Sequence, residues 1–95
     1  MIFLGTTQKC SDDQGANYRG NVQISKSGRK CEVWTTEIPP SSKTPELSGG
    51  HNFCRNPQSA MPGPWCFVKY EHGTSVKELC DIPKCESNYL YIINN

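Results

Sequence analysis

Ninety-five residues, with ten Lys plus Arg against nine Asp plus Glu, six Cys, eight Gly, seven Pro and only 35% hydrophobic residues, describe one small domain of nearly balanced charge. A chain this short buries only about 60–65% of the surface its unfolded form exposes, so the cysteines are read as disulfide cross-links of a weak core, kept outside the reducing cytosol. Interspersed charges exclude a nucleic-acid backbone or an anionic membrane surface as partner, and no run approaches the ~18 apolar residues of a spanning helix.

Residues 1–9 form an N-terminal tail whose apolar start is too short for a signal-peptide core. The export signal of an extracellular domain is therefore expected elsewhere in a longer parent chain, or removed, with Met1 an expression start. Beyond Cys10 no window repeats apolar residues with helical period, so almost no helix is expected. Turn clusters punctuate the chain instead: Asp12-Asp13-Gln14-Gly15, Lys26-Ser27-Gly28-Arg29, Pro39-Pro40-Ser41-Ser42, Ser48-Gly49-Gly50, Pro62-Gly63-Pro64 and His72-Gly73. Between them Asn21-Val22-Gln23-Ile24-Ser25 alternates, and Trp65-Cys66-Phe67-Val68 with Lys69 and Tyr70 is aromatic and β-branched. Both predict short antiparallel strands. Trp34, Trp65, Tyr18, Phe53, Phe67 and Leu47 are the candidate core, packed around sulfur. Residues 86–95 form a C-terminal tail with the β-prone run Tyr89-Leu90-Tyr91-Ile92-Ile93.

Cys10, Cys31, Cys54, Cys66, Cys80 and Cys85 are separated by 20, 22, 11, 13 and 4 residues and permit fifteen pairings. Zinc needs close ligand pairs; only Cys80 and Cys85 are near neighbours, and His51 and His72 sit singly in Gly-rich loops, so no metal and no cofactor is expected. There is no C-x-x-C motif and no unpaired cysteine to act as a nucleophile. A catalytic triad has no supporting motif, so the chain is read as no enzyme. Calcium finds no acidic loop, and no Asn-x-Ser/Thr sequon is present.

At Tyr18-Arg19-Gly20, Ser27-Gly28-Arg29-Lys30-Cys31-Glu32-Val33-Trp34, Gly50-His51-Asn52-Phe53-Cys54-Arg55-Asn56-Pro57, Gly63-Pro64-Trp65-Cys66-Phe67 and Cys80-Asp81-Ile82-Pro83-Lys84-Cys85, the chain resembles a kringle domain, over residues 10–85. Lys26-Ser27-Gly28-Arg29 and Pro45-Glu46-Leu47-Ser48-Gly49-Gly50-His51 resemble the kringles of Ror-type receptor tyrosine kinases more than the lysine-binding kringles of plasminogen. The resemblance implies a small disulfide-rich fold of loops, turns and a few short antiparallel strands, with Cys10 bonded to Cys85, Cys31 to Cys66 and Cys54 to Cys80. In the chain-entropy model the outer loop alone contributes roughly 4 kcal/mol. Such an outer bridge would bring the tails together, so Ile2-Phe3-Leu4 and Tyr89-Leu90-Tyr91-Ile92 are expected either to pair as a ribbon or to fray.

The best-known kringle activity, lysine capture, needs two carboxylates in an Asn-Pro-Asp-x-Asp run, an aromatic trough and a cation. Here the run reads Asn56-Pro57-Gln58-Ser59-Ala60, so both acids are missing, and Glu71 and Glu78 are the only local carboxylates. The resemblance with this departure implies a noncatalytic extracellular module of a larger receptor or secreted protein, with a degenerate lysine site and weak or no binding of free lysine. Its partner is expected to be a protein ligand or a neighbouring module, met through Gln58, Ala60, Met61, Pro62, Trp65, Phe67 and Lys77, and the isolated domain is expected to be monomeric. A lysine-dependent kringle of the fibrinolytic type and a purely structural spacer are the alternatives. Arg19, Lys26, Arg29 and Lys30 are read as a solvated face rather than a sulfated-sugar site.

Overall fold

The computed structural model describes residues 9–38 and 41–85. Regular structure begins where aromatic and β-branched residues concentrate. Strand β1, Trp65–Lys69, pairs antiparallel with strand β2, Ser75–Leu79, in the register Trp65 with Leu79, Cys66 with Glu78, Phe67 with Lys77, Val68 with Val76 and Lys69 with Ser75. The hairpin closes at Gly73, whose N–H donates to the Tyr70 carbonyl and whose φ of +81° suits a residue without Cβ. One turn of helix, α1 (Trp34–Glu37), and three 3-10 turns, Asp13–Gly15, Pro45–Leu47 and Pro57–Ser59, are the other regular elements among the described residues. This is the disulfide-rich, nearly helix-free architecture that the sequence predicts.

The run 21–25 does not form its predicted strand. Only Ile24 pairs, in an isolated bridge with Lys30, while the carbonyls of Val22 and Gln23 accept the N–H groups of Cys54 and Cys31. Residues 21–24 are exposed. An alternating pattern stabilises a strand by burying every second side chain against a neighbouring layer, and none lies here.

The core forms around the hairpin. Tyr18, Trp34, Leu47, Trp65 and Val68 are at most 1% exposed. Trp34 and Trp65 meet edge to face at 5.0 Å, and Phe67 completes the trio at 6.0 and 5.2 Å. Both indole N–H groups find acceptors, Trp34 Nε1 on the Phe53 carbonyl at 2.6 Å and Trp65 Nε1 on Asn56 Oδ1 at 3.0 Å, so neither buried donor is orphaned. Phe53 is only half-buried and stacks on His51 at 5.1 Å.

Two disulfides, Cys31–Cys66 and Cys54–Cys80, thread this core with their four sulfurs within 4.8 Å of one another. The third joins Cys10 to Cys85, with Cα atoms 5.1 Å apart. Beside it Ser11 donates its N–H to the Pro83 carbonyl at 2.9 Å and accepts that of Cys85 at 2.8 Å, making a parallel bridge with Lys84. The ribbon expected between 2–4 and 89–92 lies outside the described residues.

Candidate functional site

One buried side chain shapes the loop that holds most of the candidate contact residues. Asn56, 1% exposed, uses the full capacity of its amide. Its Nδ2 donates to the carbonyls of Gln14 at 2.7 Å and Met61 at 2.6 Å, and its Oδ1 accepts from the Met61 N–H and the Trp65 indole, each at 3.0 Å. Between Asn56 and Met61 the chain makes a tight excursion in which Gln58 and Ser59 take φ of +57° and +51°. Left-handed backbone costs a residue with a Cβ about 1–2 kcal/mol, and the Asn56 clamp on both ends of the loop helps to offset that strain. Gln58, Ser59, Ala60 and Pro62 project into solvent, and Met61 is half-buried.

Trp65 offers almost no surface. It is 1% exposed, walled by Trp34 and Phe67, hydrogen-bonded to Asn56 and covered by the Lys77 ammonium 5.0 Å from its ring centroid. Its large apolar area is spent on the core. Phe67 is half-buried and Lys77, its cross-strand partner, is exposed. Met61 and Lys77 together line an open cavity of about 460 Å³ with Lys26, Ser27, Glu78 and Leu79; Gln58, Ala60 and Phe67 do not. Pro62 instead lines a larger cleft of about 510 Å³ beside Cys80 and Cys85.

The local acids are committed or remote. The Glu78 carboxylate accepts hydrogen bonds from the hydroxyls of Ser25 and Ser27 at 2.7 Å each and from Tyr70. Arg29 lies 3.9 Å over the Tyr70 ring and donates to Ser27 Oγ at 2.9 Å. The Tyr70 hydroxyl, followed by those of Ser27 and Ser25, holds the Glu78 carboxyl below its ordinary pKa, and the same bond to Glu78 pushes the Tyr70 phenol above its own. Glu71 sits in the hairpin turn beyond Lys69, itself about 13 Å along β1 from Trp65 at ~3.3 Å per residue. Glu32 is held by Lys69 at 3.6 Å and by the Ser75 hydroxyl at 3.1 Å.

Arg55 is the residue sequence reasoning missed. It reads as a surface charge, yet it is 6% exposed, and its Nη1 donates to the carbonyls of Gly20 and Cys54 at 2.8 Å each. Its guanidinium lies 5.7 and 5.5 Å from the rings of Tyr18 and Phe53. Burial first, then the Arg19 charge, lowers its pKa. Arg55 and Trp65 exchange both backbone hydrogen bonds, at 3.0 and 2.8 Å, so the stretch Cys54-Arg55-Asn56 braces β1 from one side. The signal available in sequence was the run Cys54-Arg55-Asn56-Pro57 itself, which marks a turn but gives no hint that its two polar side chains point inward.

Comparison with known proteins places this geometry. The family model for the kringle domain matches residues 10–85. The tyrosine-protein kinase transmembrane receptor Ror of Drosophila melanogaster is 44% identical over 84 residues, which is 88% of this chain and 12% of the receptor. The chain thus spans about one eighth of the length of that relative.

Proposed function

The chain belongs to the kringle family, whose members are noncatalytic modules, and from that premise we propose that it docks a protein partner in the ectodomain of a larger receptor through a surface that no longer captures lysine. One observation carries the reading. Gln58 and Ala60 stand at the exposed tip of the loop braced by Asn56, at the two positions where lysine-binding kringles place acids. A bound ammonium there meets a neutral amide and a methyl group. Glu78 is engaged by three hydroxyls and Lys77 lies over the Trp65 ring, which supports the same conclusion, since a second cation would be repelled.

Titration of the oxidised chain with 6-aminohexanoic acid, followed by the NMR signals of the Trp65 indole N–H and the Phe67 ring, tests the reading. No saturable shift is expected up to millimolar ligand. A saturable shift in the micromolar range would overturn it and make the domain a lysine-dependent binder. The same reading makes the isolated domain a monomer, which sedimentation equilibrium checks.

A further inference from the structure

The open cavity between Met61 and the turn at Lys26 and Ser27 has the opposite polarity to a lysine trap. Its floor is apolar, built by Met61 and Leu79, both half-buried against the core. Lys26 and Lys77 line it from exposed positions, and neither ammonium pairs with a carboxylate among the described residues. Glu78, the one acid of the lining, has its charge spread over hydrogen bonds from Ser25, Ser27 and Tyr70. Its volume, about 460 Å³, falls within the ordinary range of ligand pockets.

We propose that this cavity docks an acidic peptide segment of a partner protein, with one bulky apolar side chain seated on Met61 and Leu79 and flanking carboxylates paired with Lys26 and Lys77. The inference rests on the protein-docking reading above and names the chemistry of the partner. Charge complementarity fixes the sign: the lining carries two exposed ammoniums against the one Glu78 carboxylate held by three hydroxyls, so its net charge is positive, and an anionic ligand is steered in while a basic one is turned away. The floor fixes the class. A sulfated sugar satisfies the two ammoniums but has no apolar group to cover Met61 and Leu79, whereas a peptide supplies both.

The test uses the oxidised 95-residue chain and two blocked pentapeptides: a central leucine flanked by two glutamates on each side, and the counterpart with glutamines in place of glutamates. The acidic peptide is expected to give saturable NMR shifts at the Met61 methyl and at the amides of Lys26, Lys77 and Leu79. The glutamine peptide is expected to bind about tenfold more weakly, because two exposed ion pairs are lost. Lys26→Gln with Lys77→Gln is expected to weaken the acidic peptide by a similar factor, with the rest of the spectrum unchanged except around the Trp65 ring that the Lys77 ammonium covers. Equal binding of the two peptides, shifts confined to other residues, or no saturable shift overturns the proposal. So does sucrose octasulfate, titrated in parallel, if it saturates the same residues more tightly than the peptide, in which case the cavity is a sulfated-sugar site. Failure here leaves the 6-aminohexanoic acid result untouched, so the loss of lysine capture and the identity of the replacement ligand stand or fall separately.

Discussion

Replacing Asn56 with aspartate changes two donors into an acceptor at nearly constant volume, which isolates the hydrogen-bond argument from packing. The carboxylate still accepts from the Met61 N–H and the Trp65 indole, but the carbonyls of Gln14 and Met61 lose their donor and face an oxygen where the amide nitrogen stood at 2.7 and 2.6 Å. Each buried group left unsatisfied costs about 1–3 kcal/mol, so for the two carbonyls the loss at neutral pH is about 2–6 kcal/mol, a large part of the roughly 5–15 kcal/mol of a typical domain. Urea unfolding of the oxidised Asn56→Asp variant, followed by tryptophan fluorescence, measures it. Burial beside two carbonyls raises the folded-state pKa of the new carboxyl above the unfolded value of ~3.9. The part of the penalty due to ionisation is then absent below the unfolded pKa, where the single O–H can serve one of the two carbonyls, grows as pH rises through it and is complete above the folded value. The variant should therefore approach the parent in acid. A loss below about 1 kcal/mol at neutral pH, or one that does not shrink in acid, would refute the role assigned to Asn56.

Three further outcomes are expected. Gly15→Ala puts a Cβ 2.5 Å from Pro64 Cδ at a φ of +84°, and left-handed strain plus a clash with a fixed ring should lower stability by about 2–5 kcal/mol in the same unfolding assay. Because the Glu78 pKa is lowered in the folded state, its contribution is present above the ordinary carboxylate pKa and is lost as pH falls through the folded value. In Tyr70→Phe the carboxyl carbon shift of Glu78 should titrate at higher pH than in the parent, closer to an ordinary carboxylate, and an unchanged titration would show that the Tyr70 bond is not made in solution. Mild reduction with mass mapping of alkylated cysteines should open Cys10–Cys85 first, since its sulfurs belong to half-buried residues while Cys54 and Cys66 are fully enclosed; earlier labelling at Cys54 or Cys66 would contradict the burial argument.

Cysteines and large aromatics announce themselves in a sequence because they have few uses in a small polar domain, and so the disulfide-rich class and most of the core were legible. Strand β1 was visible in its aromatic and β-branched run. Strand β2 was not, because Ser75-Val76-Lys77-Glu78-Leu79 has no strong pattern and owes its conformation to pairing with β1. Arg55 and Asn56 escaped for a different reason: polar side chains read as surface, and only the placement of Gly20, Gln14 and Met61 around them supplies the carbonyls that accept from Arg55 Nη1 and from both N–H bonds of the Asn56 amide inside. Of the candidate contact residues, Trp65 shows the limit most plainly, since an aromatic beside a loop looks the same in sequence whether it faces a ligand or the core.

The parallel bridge of Ser11 with Lys84 and the bond beside it make the domain a side bud on whatever chain carries it. Polypeptide arrives and departs at points 5.1 Å apart. Tension applied from both sides runs through the single Cys10–Cys85 bond and bypasses the sheet, the core and the Met61 cavity, so pulling on the two ends leaves that cavity undistorted. Reduction of that bond removes the shield and, once the fold gives way, releases slack of about 140 Å, because the Cys31–Cys66 bridge still short-circuits the chain and leaves about 40 residues to extend at roughly 3.4 Å per residue.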